Sequence, residues 1–161
     1  MSILLYHGSY VEVTRPNISF SRNNLDFGRG FYVTPIREQA FNWAERFKRK
    51  HGKAVVSHYT INNMSEWNTG CVIKTFETYS QEWLEFVINC RSGKDNSNFD
   101  VVIGGIANDR VFDTIQLYLD GLIDQSAALQ RLQYDKPNLQ YCFRNQKIIE
   151  DCLLFLKSEV F

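Results

Sequence analysis

The chain has 161 residues, 44% hydrophobic and 14% aromatic, which suits one compact domain with a single core and excludes a disordered chain. Lys plus Arg equals Asp plus Glu at 18 each, so the net charge is zero and gives no general attraction to nucleic acid or an anionic membrane. The four cysteines, Cys71, Cys90, Cys142 and Cys152, form no Cys-x-x-Cys pair and have no His close by in sequence, which argues against a metal site and for free thiols in a reducing cytoplasm.

Residues 3–7 read as a strand with Ile3, Leu5 and His7 on one face and Leu4 and Tyr6 on the other; Gly8 and Ser9 end it. The apolar run is short and has no basic start, so neither a signal peptide nor a membrane span is expected. Residues 10–24 read as a surface loop in which 18–20 form a brief edge strand. Next comes the stretch that organises the rest, Asp26-Phe27-Gly28-Arg29-Gly30-Phe31-Tyr32-Val33-Thr34. Its glycines permit positive φ and a close approach of the backbone to a ligand. Alternation turns Tyr32 away from Phe31 and Val33, so one phenol ring is offered as a floor for a flat ligand.

Thr34 is expected to cap a helix that Pro35 opens and whose apolar face is Ile36, Ala40, Trp43, Ala44 and Phe47. Lys48, Arg49 and Lys50 complement the dipole at its end, a reading preferred to a nucleic-acid patch, and Gly52 stops it. Residues 54–61 form a strand in which His58 reads as a satisfied histidine; 64–70 read as a loop with Trp67 over an edge; 72–76 form another strand. Ser80 caps a helix through Arg91, with Trp83, Leu84, Val87 and Ile88 inward. The apolar run 99–103 predicts a central strand, ended by Gly104-Gly105. Asn108 or Asp109 caps the helix that follows and stops at Gly121; Asp124 caps a shorter one over 125–132. Pro137 breaks the chain before the strand 139–144, and a short helix and a strand over 152–156 complete it. Strands and helices mix without strict βαβ alternation, which predicts an α+β domain over residues 1–161 with a mainly antiparallel or split sheet and flanking helices.

Three places hold candidate chemistry: Tyr6-His7-Gly8-Ser9, the glycine-flanked strand with Tyr32, and Asn138-Leu139-Gln140-Tyr141-Cys142-Phe143. In the last, Leu139, Tyr141 and Phe143 share a face and leave Gln140 on the other, where an amide needs a partner. Each alone has a structural explanation. Taken in order, they resemble the ADP-ribosyltransferase superfamily, in its His–Tyr–Glu branch. The correspondence runs through His7-Gly8, then Phe27-Gly28-Arg29-Gly30-Phe31-Tyr32, then Gln140-Tyr141, with Gln140 where the branch carries Glu. The stretch from Asp100 to Asp109 and the ending Gln140-x-x-Phe143 also resemble a bacterial, toxin-like family of unknown function assigned to that fold.

The resemblance implies an ADP-ribosyltransferase-like split sheet and NAD as substrate, bound in the cleft between the halves of the sheet. It assigns NAD contacts to His7, Gly8, Ser9, Phe27, Gly30, Tyr32, Trp43 and Gln140. His7 would bond the adenine-side ribose, Gly8 the nicotinamide carboxamide through its N–H and C=O, and Tyr32 would stack on the nicotinamide ring. Trp43 either closes the other face of that ring or belongs to the helix core. Arg29 either touches the pyrophosphate or faces solvent, with Arg110 and Arg144 as weaker candidates. Tyr32, Gln140 and Asp109 are the catalytic candidates, Asp109 either activating an acceptor or serving as an N-cap. A carboxylate at position 140 would add about 4 kcal/mol to a cationic transition state ~4 Å away at an effective dielectric near 20, or about three decades of rate. Gln140 keeps the hydrogen bond without the charge, so single-unit transfer is expected rather than polymer elongation. The acceptor is a protein or a nucleic acid, and the toxin-like resemblance implies a neutralising protein partner. The alternatives are a catalytically silent NAD- or ADP-ribose-binding domain acting through a partner and, less favoured, an RNA 2′-phosphotransferase.

Overall fold

The computed structural model describes residues 3–62, 64–133 and 138–161, the side chains of 64 and 66 excepted; Pro137, expected to break the chain, lies outside them. Two sheets carry the fold. The first orders β1 (Leu4–Ser9), β3 (Val55–Ile61) and β7 (Leu153–Val160) as β1-β3-β7. The second orders β2 (Phe31–Val33), β6 (Leu139–Phe143), β5 (Val101–Gly105) and β4 (Ile73–Thr75) as β2-β6-β5-β4. Every pairing is antiparallel except β4 with β5. Six α-helices complete the described residues: α1 (Arg37–His51), α2 (Met64–Thr69), α3 (Gln81–Arg91), α4 (Asp109–Leu119), α5 (Gln125–Leu132) and α6 (Gln146–Cys152). The architecture is α+β with mostly antiparallel sheets, as the unordered mix of patterns predicts.

Alternation sorts the core into layers. Leu5 and Tyr59 of the first sheet meet Phe31, Val33, Val101 and Phe143 of the second in one buried cluster. The opposite faces carry helices. Ala40 and Ala44 of α1 pack on Val56 and Tyr6, while Trp83, Leu84, Val87, Val111 and Ile115 of α3 and α4 cover Val102, Cys142 and Tyr32. Local chemistry starts the helices where expected: Ser80 accepts from the Trp83 N–H, Asn108 from Val111 and Asp124 from Ala127.

Several boundaries depart from expectation. Residues 18–20 form a 3₁₀ turn, not an edge strand, because Gln146 binds both Ile18 N–H and Pro16 C=O and Arg29 grips two carbonyls of the turn. Residues 64–69 are helix α2 rather than loop, and Trp67 is buried. Gly8 and Ser9 continue β1, and Gly104 and Gly105 pair within β5, opposite Gln140 and Leu139. Helix α1 begins at Arg37 with Ile36 at its N-cap, not at Pro35 after Thr34. Thr34 stays extended because it pairs with Tyr6, and its hydroxyl is taken by the Leu139 carbonyl.

Candidate functional site

Among the described residues, one backbone bridge joins the two sheets. Tyr6 N–H donates to Thr34 C=O at 2.8 Å, and Thr34 N–H to Tyr6 C=O at 2.9 Å, with no further bridge between β1 and β2. A continued antiparallel ladder would pair Gly8 with Tyr32 next. Instead the His7 side chain steps in: its Nδ1 lies 2.8 Å from the Tyr32 carbonyl oxygen. A carbonyl only accepts, so Nδ1 carries the proton. Burial lowers the pKa of His7, against the opposing pull of that bond, so the ring is neutral at pH 7. Nε2 is therefore a bare acceptor, and it has no partner among the described residues.

Gly8 is left at the fork. Along an antiparallel strand, main-chain groups alternate sides, so the N–H and C=O of Gly8 aim the same way as those of Tyr6, toward β2. With β2 splayed, β2 does not take them. On its side-chain face Gly8 is closely covered: a Cβ there would lie 2.1 Å from the Ala40 carbonyl oxygen of α1. The absence of a side chain is thus what lets α1 close on β1 beside the fork.

Tyr32 pairs with Cys142, and Gln140 stands two residues away on the same strand face. The bridge between Tyr6 and Thr34 makes that face continuous with the Gly8 side of β1. Tyr32, Gln140 and Gly8 are thereby brought to one face. The His7 ring is not: it packs on Phe31, 4.5 Å between centroids, on the opposite face, and reaches Tyr32 through main chain alone. Gln140 is partly exposed and makes no side-chain hydrogen bond among the described residues.

The Tyr32 hydroxyl is fully used. It accepts from Phe27 N–H at 3.0 Å and donates to Gly28 C=O at 2.5 Å, and burial raises its pKa well above the ordinary phenol value. Gly28 takes φ +80°, the left-handed turn that this clasp requires. Phe27, expected to touch NAD, is instead fully buried and stacks 6.5 Å from Tyr32. Gly30, also expected at the ligand, is a packing glycine: a Cβ would lie 2.5 Å from Cys142 Sγ. Arg29 donates to the Ile18 and Ser19 carbonyls, so its guanidinium is committed to the loop. Arg144 is tied to Asp95 at 2.6 Å.

The remaining candidates are peripheral. Ser9 is half-buried at the end of β1, opposite Val55. Asp109 is exposed in the first turn of α4; the cap is Asn108. Trp43, placed on the apolar face of α1, is 48% exposed and carries the Arg46 guanidinium 4.8 Å from its ring.

Sequence reasoning missed Gln39. Its Oε1 is buried without a partner, while its Nε2 lies 3.5 Å from the Leu139 carbonyl, next to Gln140. The signal for it was weak: Gln39 stands three residues after Ile36 and beside Ala40, at the border of the apolar face.

The site is thus a fork between two sheets, roofed by a helix and lined with main-chain and amide groups that the protein does not itself satisfy. Such groups suit a small polar ligand, which makes the fork the candidate site on this α+β scaffold. Over residues 3–155 the chain matches the family described as a protein of unknown function (DUF3990), and it belongs to that family. No match was found among curated proteins or among solved structures.

Proposed function

We propose that the chain is an NAD-dependent mono-ADP-ribosyltransferase with an ADP-ribosyltransferase-like fold. The observation that carries the reading is the fork: His7 takes the Tyr32 carbonyl and so frees the Gly8 N–H and C=O. A donor and an acceptor side by side match a primary carboxamide, which offers one of each. Tyr32 and Gln140 on the Gly8 face then supply a ring and an amide for the rest of the nucleotide. Nε2 of His7, unprotonated but on the Phe31 face, accepts from a ribose hydroxyl only where the ligand passes the open edge of β1.

The bond that breaks joins nicotinamide nitrogen to ribose C1′. Its electron pair leaves with nicotinamide, which departs neutral, and the sugar becomes cationic. Gln140 accepts from the 2′-hydroxyl and presents its carbonyl dipole to that charge. The acceptor's lone pair then forms the new bond to C1′ and its proton passes to water; Asp109, exposed in the first turn of α4, has no observed contact with the fork among the described residues. The test is release of free nicotinamide from NAD, with and without cell extract. Turnover that His7→Ala and Tyr32→Ala abolish supports the reading; a folded sample that binds NAD and yields neither nicotinamide nor labelled product rejects it.

Gln140 favours one competing reading, a silent domain that binds NAD or ADP-ribose for a protein partner. An inert wild type that Gln140→Glu makes active would establish that reading instead. If the transferase is a toxin, as its resemblance implies, co-purification with a neutralising protein is the corresponding test.

A further inference from the structure

We propose that the outer flank of α1, with Tyr10 beside it, is a docking surface for single-stranded nucleic acid. Three observations support it. First, Trp43 is not in the core. Ala40 and Ala44 are small enough to bring α1 down onto Gly8 and Val56, which leaves no room beneath for an indole. Trp43 therefore stands in solvent, with Phe47 edge-on at 6.2 Å. Second, a further flat platform continues the line: Tyr10, 36% exposed, stacks on His51 at 3.7 Å and 7°, with Phe47 5.7 Å away. Third, cations around these rings lack carboxylate partners among the described residues, with Arg46 lying 4.8 Å over the Trp43 ring. Arg46 and Lys50 lie three and seven residues beyond Trp43, on its side of the helix, and Arg49 and Lys53 adjoin them. All four are exposed and none forms an ion pair among the described residues; Lys48 alone of the group has a carboxylate, Glu45 at 3.9 Å.

Dipole complementarity explains cations in the last turn, but not exposed flat rings among them. Rings that stack on any base, spaced along a track of cations that meets phosphates, are what a single strand requires. A duplex hides the base faces, and an acidic polypeptide offers charge without rings. The flank runs from the fork outward, since Trp43 is one turn from Ala40 at Gly8. That the bound strand is also the acceptor rests on the transferase reading; the docking does not.

Fluorescence anisotropy of a labelled oligothymidylate, without NAD, tests it, with the matching duplex and polyglutamate as competitors. The single strand is expected to bind best and to weaken about 20-fold when salt is raised roughly fourfold, the slope for about three neutralised phosphates. Arg49→Glu with Lys50→Glu, and separately Tyr10→Ser, should each weaken binding about tenfold. Absence of binding at low salt overturns the proposal, as does equal competition by duplex or polyglutamate. So does unchanged binding by both variants. Loss of nicotinamide release, by contrast, bears on the transferase reading alone.

Discussion

The two ends of one short strand behave in opposite ways. At the Phe27–Gly30 end, which leads into β2, the polar side chains of the motif are engaged within the protein. The Tyr32 hydroxyl holds Phe27 N–H and Gly28 C=O, Arg29 holds two carbonyls, and Gly30 N–H donates to Ser21 Oγ. At the Thr34 end, where β2 meets β1, groups are left over: His7 Nε2, the Gly8 main chain, Gln39 Oε1 and the Gln140 amide. Of these side-chain groups, only Gln39 Oε1 is buried without a partner, and folded proteins satisfy nearly all such groups, so it is the one that points to a missing partner. The glycine-rich stretch is held within the protein, and the fork is the candidate site.

The largest expected effect separates these roles. Phe27→Ala removes a fully buried ring that stacks between Tyr32 and Phe76 and should destabilise the protein by about 3–5 kcal/mol. Urea denaturation measures it. A loss below about 1 kcal/mol would show that the glycine end is loosely packed and open to a ligand after all.

Tyr32→Phe tests the same end more finely. It leaves the ring and strips the hydroxyl, so Phe27 N–H and Gly28 C=O lose their partner. The expected cost is about 1–3 kcal/mol of stability. Because that hydroxyl is committed within the protein, NAD affinity measured by calorimetry on the folded fraction should change little. A large drop in affinity with unchanged stability would mean that the hydroxyl leaves its clasp for the ligand.

Much of this was legible in the sequence because it rests on local rules. Periodicity gives α3, and side-chain caps fix the starts of α3, α4 and α5. Alternation alone puts Tyr32 opposite Phe31 and Gln140 on the face of Cys142. What was not legible depends on contacts distant in sequence. Thr34 looks like a cap until Tyr6 and Leu139 claim it, 28 residues before and 105 residues after it. Trp43 has core spacing, but two alanines on the same helix decide its fate through how closely α1 approaches β1. The burial of Phe27 was not legible for the same reason: its motif position does not show its packing against Phe76 and Phe86. His7 on the face of Phe31 could not be read at all, since strand 3–7 gives its alternation but not the hand of its junction with β2.

Gln39 offers the opposite sign. Gln39→Leu replaces a buried amide whose Oε1 has no partner, so the free protein should gain roughly 1 kcal/mol. If a ligand donor completes that oxygen, NAD binding should weaken about tenfold, the equivalent of ~1.4 kcal/mol. Thermal melting and calorimetry on the same sample read both quantities. Higher stability with unchanged affinity would leave Gln39 as packing and shrink the fork to Gly8, His7 and Gln140.

The smallest effect is in pH, and it distinguishes the fork from a surface pair. Burial lowers the pKa of His7 in the folded chain, while the unfolded chain binds its proton near about 6.5. Below that value the unfolded state holds more protons, so stability falls as pH drops, until folded His7 also titrates. Glu159 works further down. The Arg37 hydrogen bond, with His58 beside it, holds its carboxyl at about 2, so its contribution is present above about 4.3 and is lost as pH falls toward 2. Urea midpoints against pH should therefore show two descending steps, the upper removed by His7→Gln and the lower by Glu159→Gln. NAD present in excess should deepen the upper step, because protonating Nε2 turns the acceptor of the fork into a donor. If ligand leaves that step unchanged, His7 holds the sheets together through Nδ1 and takes no part in binding.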